Sequence, residues 1–95
     1  MAAYLVVQVH RVKDPAALGE YRRRVGATVE RHGGRRRAEP GPVQILEGGW
    51  QPALVIVEFD SAERIRAWYD SEEYREPKAM RLKASRANFL IVEGV

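Results

Sequence analysis

Apolar and polar positions alternate along this chain with a period that switches between two residues and three to four. Residues Ala3 to Val12, AYLVVQVHRV, are β-branched and aromatic-rich and predict a buried strand. One face of that strand carries Tyr4, Val6, Gln8 and His10, the other Leu5, Val7, Val9 and Arg11. The spacing then changes. Leu18, Tyr21, Val25 and Val29 follow one another at three, four and four residues, which is the apolar stripe of a helix. Asp14 is placed to cap the free amides of that helix, Pro15 suits its first position, and Gly33-Gly34 supplies the left-handed residue that ends it.

A second strand region follows, broken by Pro40-Gly41-Pro42 and firmest at Val43 to Glu47; proline here predicts an edge strand or a bulge. Beyond a Gly48-Gly49 turn and Trp50-Gln51-Pro52, Ala53 to Phe59 is nearly continuous in apolar residues, as a central strand requires. Asp60 with Glu63 fits a capping box for the next helix, with Ser61 as the rival cap. Ile65, Trp68 and Tyr69 form the stripe of that helix. Ser71 to Ala84 predicts a further helical stretch after a bend, provided that Pro77 falls in its first turn. Asn88 to Glu93 is the last strand.

The order is β-α-β-β-α-β. This is an α+β, ferredoxin-like arrangement: a four-stranded antiparallel sheet with helices on one face. The first and third strands are expected side by side and parallel, which would bring Gln8 and Glu58 together in a polar corner where Glu58 finds a donor. Alternation leaves open whether that corner faces the helices or a partner. One alternating set is wholly apolar, comprising Leu5, Val7, Val9, Val55, Val57, Phe59, Leu90 and Val92. The complementary set, Val6, Gln8, Leu54, Ile56, Glu58, Phe89, Ile91 and Glu93, is apolar before it turns polar. Helices can cover only one of these faces, and so large an apolar surface is seldom left bare. The expectation is a homodimer packed sheet to sheet.

Composition narrows the picture further. Ninety-five residues predict one domain, residues 1–95, and 45% apolar with 31% charged residues is a globular rather than a disordered balance. The absence of cysteine removes disulfides, thiolate nucleophiles, iron–sulfur clusters and the usual structural zinc sites. No export signal is visible and no apolar run approaches the roughly 18–20 residues of a membrane helix, so a cytoplasmic location is expected. Arginines cluster at Arg22, Arg23, Arg24, Arg31, Arg35, Arg36 and Arg37 in a chain of net charge +3. That patch either meets phosphate or an acidic partner or is a solvated face.

Candidate chemistry is sparse. His32 ends the first helix, either as a C-cap bonding the last carbonyls or as an acid–base group, and Glu47 precedes the glycine turn; together they form the candidate catalytic couple. Trp50, Trp68, Tyr69 and Tyr74 are either packing or the walls of an aromatic pocket. Glu58 and Arg81 complete the candidate ligand-binding set, and Arg81 either grips a carboxylate in fork geometry or pairs with Glu72 or Glu73. His10, His32 and Glu47 lack metal-ligand spacing, no phosphate-binding glycine loop or nucleophile motif is present, and no cofactor is expected.

The segments YLVVQVHRVKDP (Tyr4–Pro15), HGGR (His32–Arg35), LEGGWQP (Leu46–Pro52), VEFDS (Val57–Ser61) and AWYDSEEY (Ala67–Tyr74), with Tyr21 and Arg81, resemble the domain-of-unknown-function family numbered 1330. The resemblance covers nearly the whole chain. It departs where Asp60 and Glu72 stand in place of the family's usual prolines, and where Arg35-Arg36-Arg37 replaces a more apolar strand start. It implies membership of the dimeric α/β-barrel superfamily, in which two ferredoxin-like subunits join their sheets. Relatives there include cofactor-free monooxygenases, muconolactone isomerase-like enzymes and haem-binding peroxidases, with pockets between helices and sheet; their catalytic residues do not carry over.

Three functions compete. The first is a small homodimeric protein with a pocket for a small aromatic or carboxylate compound, in one form a cofactor-free enzyme. The second is a non-catalytic dimeric binding or interaction module. Nucleic-acid binding through the arginine patch stands last, because the central strands offer Val55, Ile56 and Val57 where RNA-recognition motifs present stacking aromatics.

Overall fold

Strand β1 (Ala3–Val12) runs through the middle of a four-stranded sheet, with β3 (Ala53–Phe59) on one side and β4 (Ser85–Glu93) on the other; β2 (Arg35–Ala38) is the outer neighbour of β3. Three helices complete the chain: α1 (Pro15–Arg31), α2 (Ala62–Tyr69) and α3 (Glu72–Ala84). The computed structural model describes residues 2–38, 43–49 and 53–95. The sheet is antiparallel throughout, as expected for the α+β, ferredoxin-like class.

The local signals act where the sequence puts them. Asp14 caps α1, its carboxylate accepting from the Ala17 amide at 3.1 Å, with Pro15 in the first turn. Gly33 adopts a φ of 79°, and the Gly33 and Gly34 amides return to the Glu30 and Val29 carbonyls at 3.0 Å each, closing the helix. Gly34 is needed for a second reason: a Cβ there would lie 2.8 Å from Phe59 Cζ, and the Phe59 ring is fully buried.

Several expectations are corrected. β1 and β3 are antiparallel, because β3 lies between β2 and β1 and pairs antiparallel with both. Tyr4 therefore faces Glu58 and Gln8 faces Leu54, so Gln8 and Glu58 share the sheet face away from the helices but sit toward opposite ends of it. Gln8 instead accepts from Asn88 on β4 at 3.2 Å. The faces of β4 are also exchanged. Leu5 faces Ile91, Val7 faces Phe89 and Val9 faces Ala87, so Ala87, Phe89 and Ile91 lie on the helix side while Leu90 and Val92 join Val6 on the other. The strand begins at Ser85 rather than Asn88, and with both faces apolar nothing in its own sequence marks which is inner.

The second strand falls on Arg35–Ala38, not on Val43 to Glu47, whose residues are exposed and outside the sheet. A charged edge strand suits its position, since charge discourages pairing with another chain. The Pro40-Gly41-Pro42 break and Trp50 lie outside the described residues. Ser61, not Asp60, caps α2, its hydroxyl accepting from the Arg64 amide at 3.2 Å. Pro77 sits inside α3 beyond the first turn, where it leaves the Glu73 carbonyl without an amide four residues on.

The core lies on the helix side of the sheet. Leu5, Val7, Val57 and Phe59 meet Leu18, Tyr21 and Val25 of α1, Ile65 and Trp68 of α2, and Tyr74 and Ala84 of α3. Trp68, Tyr74, Phe59 and Ile65 are its largest fully buried side chains. Helix α1 packs chiefly along α3, and α2 lies over the sheet. The opposite sheet face carries Val6, Ile56, Leu90 and Val92 with no helix over it; Leu90 is 54% and Val92 48% exposed.

Candidate functional site

A cavity of about 310 Å³ opens between α1 and the sheet. Its floor is the inner sheet face, namely Leu5, Val7 and Val9 of β1, Val55 and Val57 of β3, and Ala87 and Phe89 of β4; Leu18, Val25 and Val29 of α1 form its roof. The cavity follows from the packing above. The stripe of α1 is shared between α3 and the sheet, and small valines and an alanine on the floor do not fill the gap. Its volume is at the small end of the range of ligand pockets, roughly 300–1,000 Å³.

The polar part of the lining is cationic and phenolic: Tyr21, Arg22, Arg36, Arg81, Ser85 and the indole of Trp68. Among the described lining residues there is no carboxylate and no histidine. Arg81 is only 5% exposed. Its Nε donates to the Tyr74 hydroxyl at 3.2 Å, and its guanidinium lies 3.9 Å from the centre of the Phe89 ring. Tyr74 in turn shares a 2.8 Å hydrogen bond with the Tyr21 hydroxyl. Burial raises both phenols above the ordinary tyrosine range, the neighbouring tyrosine adding to the rise at Tyr21 and the Arg81 guanidinium partly opposing it at Tyr74. Both are neutral hydrogen-bonding groups at physiological pH, and neither can act there as a phenolate base.

Trp68 is held from behind. Its indole N–H donates to Thr28 Oγ1 at 2.9 Å, and Thr28 donates to the Val25 carbonyl at 2.7 Å. The Trp68 and Tyr74 rings stack with centroids 4.1 Å apart. Tyr69 packs on Trp68, Tyr74 and Phe89 and carries Lys78 over its outer face at 4.1 Å.

The candidate residues read from the sequence therefore divide. Trp68 and Arg81 line the cavity, Tyr74 anchors Arg81 from behind, and Tyr69 belongs to the aromatic stack beside them. Glu58 is on the other face of the sheet, where hydrogen bonding from Arg37, reinforced by Arg35, holds its carboxyl below the usual range. His32 does not line the cavity: its Nδ1 lies 2.9 Å from the Thr28 carbonyl and 3.3 Å from Glu73, whose carboxylate also pairs with Arg31. Glu47 is exposed and makes no side-chain hydrogen bond or ion pair among the described residues. Trp50 lies outside the described residues. Arg81 pairs with neither Glu72 nor Glu73, which engage Arg75 and the Arg31–His32 end of α1. Beyond its place in the family resemblance, Tyr21 reads in sequence as part of a helical stripe, and Arg36 as part of a charge run. Neither type of signal distinguishes a cavity wall from ordinary core or surface.

The match to known proteins bears on the fold and the family. Residues 2–95 match the family model described as Domain of unknown function (DUF1330). Among solved structures, a protein of unknown function from Rhodopseudomonas palustris superposes with a TM-score of 0.78 at 18% identity, covering 99% of this chain and 82% of that one. SnoaB, a cofactor-independent oxygenase from Streptomyces nogalater, superposes with a TM-score of 0.72 at 11% identity over 99% of this chain and 93% of its own. A dimeric ferredoxin-like protein of unknown function from Jannaschia sp. CCS1 does so with a TM-score of 0.71 at 11% identity over 99% and 100%. No curated protein matches the chain.

Proposed function

The chain belongs to the DUF1330 family, and from that premise and the form of its cavity we propose that it is a homodimeric protein that holds a small organic compound between α1 and the sheet. The observation that carries this reading is the cavity itself, about 310 Å³ with an almost wholly apolar floor and roof and a few polar groups gathered beside Trp68. The dimer half of the proposal rests on the uncovered sheet face, on which Val6 pairs in register with both Ile56 and Leu90. Dimeric ferredoxin-like proteins among the structural neighbours support it.

Binding without turnover agrees best with a lining that holds no carboxylate or histidine among the described residues. A cofactor-free enzyme, the second reading, is favoured by one feature. Arg81 Nε donates to the Tyr74 hydroxyl, and where that hydroxyl donates its own hydrogen bond to the Tyr21 oxygen, the Tyr21 O–H is left to donate into the cavity. Such a donor would favour an oxygen that gains negative charge. Nucleic-acid binding stands last, because Arg23, Arg24, Arg31, Arg35 and Arg37 are already engaged by carboxylates of the same chain. No helix among the described residues is long and apolar enough to cross a membrane.

The test is a thermal-shift screen of small aromatic and carboxylate compounds, with Trp68 fluorescence as a second readout. A ligand at about 100 times its dissociation constant adds roughly 2.7 kcal/mol, enough to move the midpoint by several degrees. Hits suppressed by Val55→Phe, which fills the cavity, support the reading. Failure of every compound to shift the midpoint or the fluorescence overturns it.

A further inference from the structure

Arg81 presents an electrostatic arrangement that packing alone does not explain. The residue is 5% exposed, and burying a cation is costly unless a counter-charge or a full set of hydrogen bonds compensates. Among the described residues no carboxylate pairs with it, its one well-aligned hydrogen bond runs from Nε to the Tyr74 hydroxyl, and its Nη atoms make none of good geometry, although the Tyr21 hydroxyl is close enough to interact with the guanidinium. The Phe89 ring beneath it returns part of the lost hydration. No buried side-chain nitrogen or oxygen is unsatisfied among the described residues, so the Nη groups retain accessible surface, and the space available to them is the cavity that Arg81 lines.

The rest of the lining points the same way. Arg22 and Arg36 are exposed, so the cavity reaches solvent beside two further cations. Arg36 crosses from the edge strand toward α1, where a Cβ on Gly26 would lie 4.0 Å from its Nη2. With Arg81 at its inner end, Arg22 at its mouth and no acid in its described lining, the cavity attracts anions into an apolar enclosure.

We infer that the cavity takes a planar aryl carboxylate of one or two rings, its carboxylate seated on the Nη atoms of Arg81 with the Tyr21 hydroxyl alongside, and its ring body between the valines of the sheet and α1. This rests on the reading that the cavity holds a small organic molecule. A guanidinium cannot shed its charge and offers two parallel donors that match a carboxylate. The apolar floor and roof exclude a small hydrated anion as the preferred occupant.

The experiment is calorimetric titration of the intact protein with 2-naphthoate, the neutral 2-naphthamide of the same shape, and acetate. The expected result is binding of naphthoate about tenfold or more tighter than naphthamide, with acetate weaker than either. In Arg81→Met and Arg81→Lys the preference for the anion shrinks while naphthamide binding is kept. Equal affinity for naphthoate and naphthamide overturns the inference and leaves the small-molecule reading standing; absence of binding by either also overturns the inference, while the small-molecule reading falls only if the thermal-shift screen is empty as well. An anion preference that survives in a folded Arg81 variant also overturns it, by moving recognition to Arg22 or Arg36. Should both Arg81 variants fail to fold, the comparison of acid and amide on the unaltered protein still decides.

Discussion

Tyr21 of α1 and Tyr74 of α3, 53 residues apart, share a 2.8 Å hydrogen bond between their hydroxyls in the buried seam where the two helices meet. Tyr74 also accepts from Arg81, so it is the middle member of a three-residue chain. Removing the middle oxygen strands two buried partners; removing the end oxygen strands none completely. Tyr74→Phe is expected to lower stability by about 1–3 kcal/mol, and Tyr21→Phe by roughly 1 kcal/mol. Denaturant midpoints of the two variants measure the difference, and equal losses would mean that the chain does not act as a unit.

The same phenols set an alkaline limit. Their folded values lie above the ordinary 10.0, chiefly through burial, so they favour the folded state fully while unfolded tyrosine is protonated. That contribution is lost progressively as pH rises above about 10, where only the unfolded chain releases these protons. Unfolding midpoints between pH 8 and 11.5 should fall on the alkaline side, and less steeply in Tyr21→Phe. A slope unchanged by that substitution would assign the alkaline loss to other groups.

The bare sheet face offers a direct test of assembly. Val6, Ile56 and Leu90 lie side by side across β3, β1 and β4. Leu90→Arg places a charge on the proposed interface without touching the helix-side core, and is expected to turn a dimer into a monomer that remains folded. Sedimentation velocity at micromolar concentration with far-ultraviolet circular dichroism reads both properties. A wild-type monomer would remove the dimer proposal.

Gly34 tests the packing at the end of α1. A methyl group there meets the side chain of Val29 and lies 2.8 Å from Phe59, which is 0% exposed and has no room to retreat. Gly34→Ala should cost about 1–3 kcal/mol by overpacking. Gly33→Ala meets nothing within 4 Å but must hold a φ of 79°, so its cost is backbone strain of about 1 kcal/mol. Thermal melts of the pair separate steric from conformational cost; a larger loss at Gly33 would contradict the assignment.

Much of this protein was set by its sequence through interactions that span only a few residues. The alternation in β1 and β3, the three-four-four stripe of α1, and the Asp14 cap all depend on neighbours in the chain, and each is found where its spacing places it. The family was legible for the same reason, since its motifs are contiguous segments. Local signals failed where two elements compete or meet. Asp60 and Ser61 are both competent caps, and only the path of the chain out of β3 selects Ser61. The helix-facing side of β4 is decided by its hydrogen-bond register with β1, because Leu90 and Ile91 are equally apolar. The direction of β3 relative to β1, which parts Gln8 from Glu58, is a property of sheet order. The candidate site belongs wholly to this second class. Trp68 and Arg81 could be named from their chemistry, but the cavity exists because α1 stands along α3 above a floor of small side chains. His32 and Glu73, far apart in sequence, are neighbours only because the end of α1 meets the start of α3. Side-chain type is written in the chain; which side chains share an enclosed space is decided by how the helices settle on the sheet.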